Sequence, residues 1–288
     1  MNDRARAIAE AALRAAGLGP ARRLHGAGGG DIAAAYRVEA DLQDVFLKVS
    51  GAAHPFEAEA LALGEIAATR TLRVPSVLAH GTAEGAGYLL LEWIDLAESG
   101  DWTAAGRQLA ALHACVMASH GWRRENTIGA SPQSNAPSAN WAEFYRERRL
   151  RPQFQLARAN GLSRLAALED RACRTSDALL VRHAPAPSLL HGDLWRGNFA
   201  FDRSGAPVVF DPATYRGDAE TDLAMTRLFG GFPERFYRAY AEAKPSATGE
   251  AERLPLYQLY HVLNHANLFG GGYVAQAMAL IERLDSRR

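Results

Sequence analysis

Leu190–Pro212 reads LHGDLWRGNFAFDRSGAPVVFDP, and this stretch decides the fold. Asp193 sits in a His-Gly-Asp loop, and Asn198 follows five residues later. Two apolar fragments, Asn198–Phe201 and Val208–Phe210, flank Asp202-Arg203-Ser204-Gly205. Asp, Ser and Gly are turn residues, so the fragments read as a β-hairpin. A turn centred on Ser204-Gly205 sets Phe201 opposite Val208 and Phe199 opposite Phe210. The same register brings Asn198 and Asp211 together at the open end, close to the loop aspartate.

Oxygen side chains gathered in this way suit phosphoryl transfer. One carboxylate orients and deprotonates an attacking hydroxyl, and hard oxygen ligands hold Mg²⁺ against a triphosphate. In the protein-kinase template the base Asp precedes a metal-binding Asn by five residues. Asp193 and Asn198 have that spacing, and Asp211-Pro212-Ala213 stands where the template has Asp-Phe-Gly. The expectation is Asp193 as base and Asn198 and Asp211 as Mg²⁺ ligands, with ATP as the donor.

The other half of such a site belongs in strand-rich text upstream. Lys48 lies inside the apolar run Val45-Phe46-Leu47-Lys48-Val49. A lysine there is costly unless its ammonium finds a partner. A helix is expected from Pro55 to about Thr69, with Phe56, Ala60, Leu63 and Ala67 as its buried stripe. At about 100° per residue, Glu59 falls about 60° from Phe56 and Glu57 about 100° away. Glu59 is therefore the expected partner of Lys48 while the lysine reaches the phosphates of ATP. Gly28-Gly29-Gly30 precedes the second strand, where glycines let backbone N–H groups approach phosphate. Glu92-Trp93-Ile94 is the segment whose backbone groups are expected to meet adenine.

The pattern along the chain gives an α+β, two-lobed, kinase-like architecture. A helix over 1–18 is followed by strands near 22–26, 33–38 and 45–49, the helix at 55–69, and strands near 77–80 and 88–92. This predicts a small antiparallel sheet with one helix, a lobe of residues 1–94 that binds ATP. Residues 95–288 read as a larger, mainly helical lobe for catalysis and substrate, with ATP–Mg²⁺ in the cleft between the two. Its helices are expected at 102–118, from Asn140 as an N-cap, at 162–183, 220–229, 233–243, 252–268 and 273–284. Pro152 should kink or break its helix, and 131–140 reads as a loop.

Composition narrows the function. Lys and Arg number 32, as do Asp and Glu, so the net charge is zero. That argues against nucleic acid as a partner and leaves no polybasic patch for a membrane. No run reaches the apolar length of a membrane span. The N-terminal text reads as an amphipathic helix and not as a signal peptide. Cys115 and Cys173 cannot form a disulfide framework, and free thiols fit a reducing cytoplasm.

With these residues in view, the chain resembles the fructosamine kinases, also called ketosamine 3-kinases. They are relatives of the aminoglycoside phosphotransferases and share the protein-kinase-like fold. The resemblance runs from about residue 20 to the end. It is carried by Gly121-Trp122 with Asn126-Thr127-Ile128-Gly129, by Leu189–Trp195 with Gly197-Asn198, and by Phe210–Ala213. Asp222–Thr226, Leu228–Phe232, Phe236-Tyr237, Leu263–His265 and Gly270–Tyr273 complete it.

The resemblance implies ATP- and Mg²⁺-dependent phosphorylation of the sugar 3-hydroxyl of ketosamines, the Amadori adducts of sugars with amines or protein lysines. It implies the same roles for Asp193, Asn198, Asp211 and Lys48, and an unstable product that ends in deglycation. Three positions depart from the family pattern: His120, Arg216 and Ala219. They spare the phosphoryl-transfer residues and bear on substrate preference.

Trp195, Tyr215 and Asp218 are candidates to contact the acceptor, Trp195 being equally compatible with packing. His191 and Asp222 are expected to brace the catalytic loop. His261 and His265 share a helix face without the glutamate of a HExxH motif, and read as core residues. The rival readings are a kinase for an aminoglycoside, choline or homoserine-like acceptor, and a nucleotide-binding pseudokinase.

Overall fold

In the computed structural model, which describes residues 3–28, 33–51 and 56–286, the first helix is α1 (Asp3–Ala16). It presents Ile8, Ala9, Ala12 and Leu13 to the sheet that follows. Five strands form that sheet: β1 (Ala21–Ala27), β2 (Ala33–Ala40), β3 (Asp44–Ser50), β4 (Val77–Ala83) and β5 (Ala86–Glu92). Their order is β1-β2-β3-β5-β4, and every pairing is antiparallel. Side chains alternate across a strand. Val45 and Leu47 of β3 thus enter the core under α1, while Phe46 and Lys48 point to the other face. Helix α2 (Glu57–Thr69) lies between β3 and β4 in the chain. Gly29 and Gly30 of the glycine run, Pro55 of the expected helix and the first two residues lie outside the described residues.

Phe56, Ala60 and Leu63 of the expected stripe are buried, but Ala67 is exposed and Ile66 is buried beside them. Ile66 is bulkier than Ala67, and burying it removes more apolar area from water.

Beyond the sheet come β6 (Leu96–Ala97) and helix α3 (Trp102–His113). The helix expected to reach residue 118 ends five residues sooner. Residues 115–117 are drawn into extended pairing instead: Leu189 N–H donates to the Cys115 carbonyl and Met117 N–H to that of Pro187. The stretch read as a loop contains half of a short hairpin, β7 (Asn126–Ile128) with β8 (Ser131–Gln133). Asn140 caps α4 (Trp141–Tyr145), its side chain accepting the Glu143 N–H at 3.0 Å.

Pro152 does not break the helical path. A five-residue π segment, 146–150, precedes α5 (Arg151–Ala159), and the Arg151 N–H bonds to the carbonyl of Arg146, five residues back. Widening the turn before the proline absorbs its missing N–H and its ring. The helix expected over 162–183 is two: α6 (Ser163–Ala166) and α7 (Glu169–Leu180).

Strand β9 (Ser188–Leu189) leads into the His-Gly-Asp loop. The hairpin follows as β10 (Phe199–Asp202) and β11 (Pro207–Val209). Gly205 N–H donates to Asp202 O and Asp202 N–H to Ala206 O, both at 2.9 Å. Gly205 has φ 83°. This is a turn closed by a one-residue bulge at a left-handed glycine. Asp202 is therefore opposed to Ala206, one residue away from the register expected for an unbulged turn. β10 also pairs with β6, Phe201 against Ala97 and Asp202 against Leu96.

The remainder comprises β12 (Arg216–Gly217), paired with β9, then α8 (Glu220–Thr226), α9 (Glu234–Ala243), α10 (Glu250–Phe269) and α11 (Gly272–Asp285). By contacts the chain forms two compact units. One is residues 1–101 with 200–211; the other is 102–199 with 212–288. The second has its own core, including Leu112, Phe144, Phe154, Phe236, Leu256 and Ile281. Among the described residues no helix is long and apolar enough to cross a membrane.

Candidate active site

In the first unit Lys48 is the centre of a small charged cluster. Its Nζ donates to Glu59 Oε1 at 2.7 Å and to Asp211 Oδ1. Glu59 is thus the glutamate of α2 that meets the lysine, as the helix geometry requires. The Lys48 side chain is 12% exposed. Burial alone would favour its neutral form, but the two carboxylates outweigh burial and push its pKa up, so the ammonium persists. Asp211, two residues beyond β11, has φ 58°, a left-handed conformation uncommon for a non-glycine residue. Its side chain remains 42% exposed.

Glu92 closes β5. Its N–H donates to Ser76 O, and its carboxylate accepts from Arg73 and from the N–H and hydroxyl of Ser76. The Glu92 amide is therefore committed within the sheet region. Trp93 donates its indole N–H to Asp95, and the Arg37 guanidinium lies 4.8 Å over its ring. Ile94 is half-buried. Gly28 lies just past β1, with open space where a Cβ would be.

The second unit holds the His-Gly-Asp loop, shaped by hydrogen bonds to one buried carboxylate. Asp222, in the first turn of α8, accepts His191 N–H at 2.7 Å and Gly192 N–H at 2.9 Å. His113 of α3 donates to the same carboxylate from Nε2 at 3.2 Å, and its Nδ1 pairs with the Tyr240 hydroxyl. Burial alone would raise the Asp222 pKa. The His113 hydrogen bond, the neighbouring imidazoles and the Gly192 amide reverse this and hold it below the usual carboxylate range.

His191 is fully buried, and its Nδ1 accepts the Asp193 N–H at 3.3 Å. Gly192 has φ 85°, and a Cβ there would fall 2.0 Å from the Ala213 carbonyl oxygen. Only glycine fits. Asn198 closes the loop, its Nδ2 donating to Asp193 O at 2.9 Å and Asp193 Oδ2 at 3.0 Å. Asp193 is half-buried.

The acceptor candidates are placed unequally. Trp195 is half-buried and edge-on to Phe229 at 5.8 Å. Tyr215 is 1% exposed, under the Arg149 guanidinium at 3.9 Å. Asp218 is buried and accepts from Tyr257 OH and His183 Nε2, both at 2.6 Å. His183, Asp218 and Glu220 are close enough to hold a metal ion. However, Glu220 already receives both arms of Arg253, so the group is satisfied as a polar network. His261 is buried, and desolvation pushes its pKa down to about 3, as befits a neutral core imidazole.

Several residues of these networks carried no signal that singled them out. Arg73 and His113 look like ordinary charged and helical residues in the text. Gln133, in the stretch expected as a loop, is 1% exposed and donates to Asn126 and to the Ala213 carbonyl. Fully buried Arg149 has aromatic faces of Phe144, Tyr215 and Tyr260 around it. The cluster of Asn126, Gln133 and Asn135 was the available hint, since buried amides come in mutually satisfied groups.

Comparison with known proteins places these features in context. A model of the family described as fructosamine kinase matches residues 5–287. A Synechocystis protein named as a "probable ketoamine kinase" is 45% identical over 262 residues, 88% of each chain. A chloroplastic protein-ribulosamine 3-kinase of Arabidopsis thaliana is 40% identical over 267 residues, 90% of this chain and 82% of its own. A crystal structure described as a "putative fructosamine-3-kinase" of Haemophilus somnus superposes with TM-score 0.91 at 28% identity, covering 98% of this chain and 99% of that one.

Proposed function

The chain belongs to the fructosamine kinase family, and on that premise we propose that it transfers the γ-phosphoryl group of ATP to the 3-hydroxyl of ketosamines. It is a phosphotransferase with a kinase-like α+β fold. The observation that carries the reading is the loop in which Asn198 holds Asp193 while Asp222 fixes the two preceding amides.

Asp193 accepts the hydrogen bond of the acceptor hydroxyl and takes its proton. The hydroxyl oxygen bonds to the γ-phosphorus as the bond to ADP breaks. Lys48, charged and oriented by Glu59, binds ATP phosphate oxygens. The backbone of Glu92–Ile94, with the Glu92 amide already used, receives adenine, and the glycines at 28–30 have the proposed role of offering backbone N–H groups to the phosphates. Asn198, with its amide nitrogen given to Asp193, keeps its carbonyl oxygen for a cation, and Asp211 adds a carboxylate. An all-oxygen donor pair fits Mg²⁺ better than a softer metal. When bound, Mg²⁺ neutralises phosphate charge. Positioning and electrostatics supply most of the rate.

Substrates are small ketosamines or glycated lysines of proteins, and the half-buried Trp195 supports its role in walling the sugar pocket. The 3-phosphate product is labile for a chemical reason. Enolisation toward C1 places the phosphate on an allylic carbon, from which it leaves, and hydrolysis then frees the amine. The outcome is deglycation, a repair reaction. Two free cysteines support a cytoplasmic setting.

The test is an assay of ADP release with ATP and Mg²⁺, offering ribulose-lysine, fructose-lysine and a panel of aminoglycosides, with Asp193→Ala as the blank. Turnover on a ketosamine that vanishes in the variant is the expected result. Turnover only on another acceptor would retain the kinase and remove deglycation. ATP binding without any turnover would leave a pseudokinase.

A further inference from the structure

Arg73 follows α2 by four residues and was not among the residues expected to matter. Its guanidinium joins two carboxylates that are far apart in the chain. Nη2 donates to Glu92 Oε1 at 2.8 Å, and Nη1 pairs with Asp202. Its main chain takes part as well: the Arg73 carbonyl accepts the Val209 N–H at 3.0 Å, and Arg73 forms a parallel bridge with Val208. One residue therefore touches the end of β5, the turn end of β10 and the end of β11.

Both carboxylates are held rigidly from their other sides. Glu92 accepts from the Ser76 N–H and hydroxyl, each at 3.1 Å. Asp202 accepts from Ser204 N–H and hydroxyl and from Ala206 N–H, which fixes the turn of the hairpin. A planar guanidinium with a fixed fork of donors suits a bridge between two such acceptors, whereas a lysine offers a single point charge. Nucleotide-handling residues sit at the ends of what Arg73 clamps. Glu92 begins the segment Glu92–Ile94, and Asp211 follows β11 by two residues.

We propose that Arg73 is a positioning residue for nucleotide use: its bridge between Glu92 and Asp202 fixes the hairpin ending in Asp211 relative to the segment Glu92–Ile94. This rests on the reading of those two segments as metal- and adenine-binding. Arg73 need not touch ATP. It acts through Asp211 and the end of β5, so its loss affects MgATP and spares the acceptor.

The experiment compares wild type, Arg73→Met and Arg73→Lys. The readouts are KM for MgATP, the Mg²⁺ concentration for half-maximal rate, KM for ribulose-lysine, the binding of a fluorescent ATP analogue, and Tm. Arg73→Met is expected to raise KM for MgATP and the Mg²⁺ requirement, each by roughly tenfold, the scale of a modest misplacement of reacting groups. KM for ribulose-lysine should stay within twofold. Arg73→Lys, able to hold one carboxylate, should recover part of the loss. Three outcomes overturn the proposal. MgATP and Mg²⁺ parameters unchanged in folded Arg73→Met would remove the positioning role and leave the kinase reading intact. An equal rise in both KM values would mark a general structural role. Failure of wild type to bind the ATP analogue would remove the kinase reading and this proposal with it.

Discussion

The lysine cluster of the first unit and the His-Gly-Asp loop of the second are organised by different forces. Around Lys48 the organising force is charge: one buried ammonium between two carboxylates. Around the loop it is backbone hydrogen bonding: Asp222 accepts two successive amides, and His113 locks the acceptor from behind. A charge cluster is tolerant of angle and intolerant of losing a partner. A carboxylate on two amides dictates backbone geometry. On the proposed function, the first suits gripping a polyanion that comes and goes, and the second suits holding a base in one place through every turnover.

Removing the proposed base should have the largest effect. Asp193→Ala is expected to lower kcat by roughly 10²–10⁴-fold with little change in Tm, because on that proposal the side chain does chemistry while Asp222 holds the loop backbone. Steady-state kinetics beside a thermal melt would check it; activity within tenfold of wild type would end its assignment as base.

Lys48→Met comes next, with kcat/KM for ATP falling by roughly 10²-fold. The loss should fall on ATP and spare the ketosamine, and unchanged ATP kinetics would count against a phosphate-binding lysine.

Asp222→Ala sharpens the contrast from the other side. Two buried amides lose their acceptor at about 1–3 kcal/mol each, so stability should drop by about 2–6 kcal/mol. Urea denaturation reads this directly. A variant as stable as wild type would mean that the loop does not depend on that carboxylate.

The smallest effect tests burial away from both sites. His120 is 3% exposed, and among the described residues its Nδ1 has no partner. Desolvation pushes its pKa down to about 4, below the value of about 6.5 in an unfolded chain. Between these values the unfolded chain binds the extra proton. Stability from this residue is whole above about pH 6.5 and drains away as pH falls toward 4. His120→Phe should therefore flatten the decline of Tm between pH 7 and 5 while leaving Tm at pH 7.5 unchanged or slightly higher. An undiminished slope would assign the pH response elsewhere.

How much was legible in the text depended on the kind of regularity involved. The strand lysine and its glutamate obey simple periods, two along β3 and 3.6 along α2, and those periods put Lys48 and Glu59 together. The loop was legible because five residues of spacing and a turn tetrapeptide are local features. The hairpin register slipped because a bulge at Gly205 depends on a single φ angle that the letters do not specify.

The β7–β8 hairpin was hidden by strands of three residues, one containing Pro132. Pro152 was expected to kink or break its helix, and the π segment that lets the helical path continue has no letter signature. Arg73, His113 and Arg149 were illegible for a common reason. Each meets a partner remote in the chain, Asp202 for Arg73, Asp222 for His113 and Tyr215 for Arg149, and nothing local distinguishes such residues from their solvated or packed counterparts.

The discontinuity of the first unit limits how this protein can be recombined. Residues 200–211 belong with 1–101, although about a hundred positions separate them. A fragment cut after Asp101 would leave β6 without β10 beside it and Arg73 without Asp202. A chimera that exchanges the first unit between homologues must therefore have three crossovers, moving the hairpin together with the amino-terminal segment. A graft made with a single junction would inherit a charged cluster assembled from two parents, with Lys48 from one and Asp211 from the other.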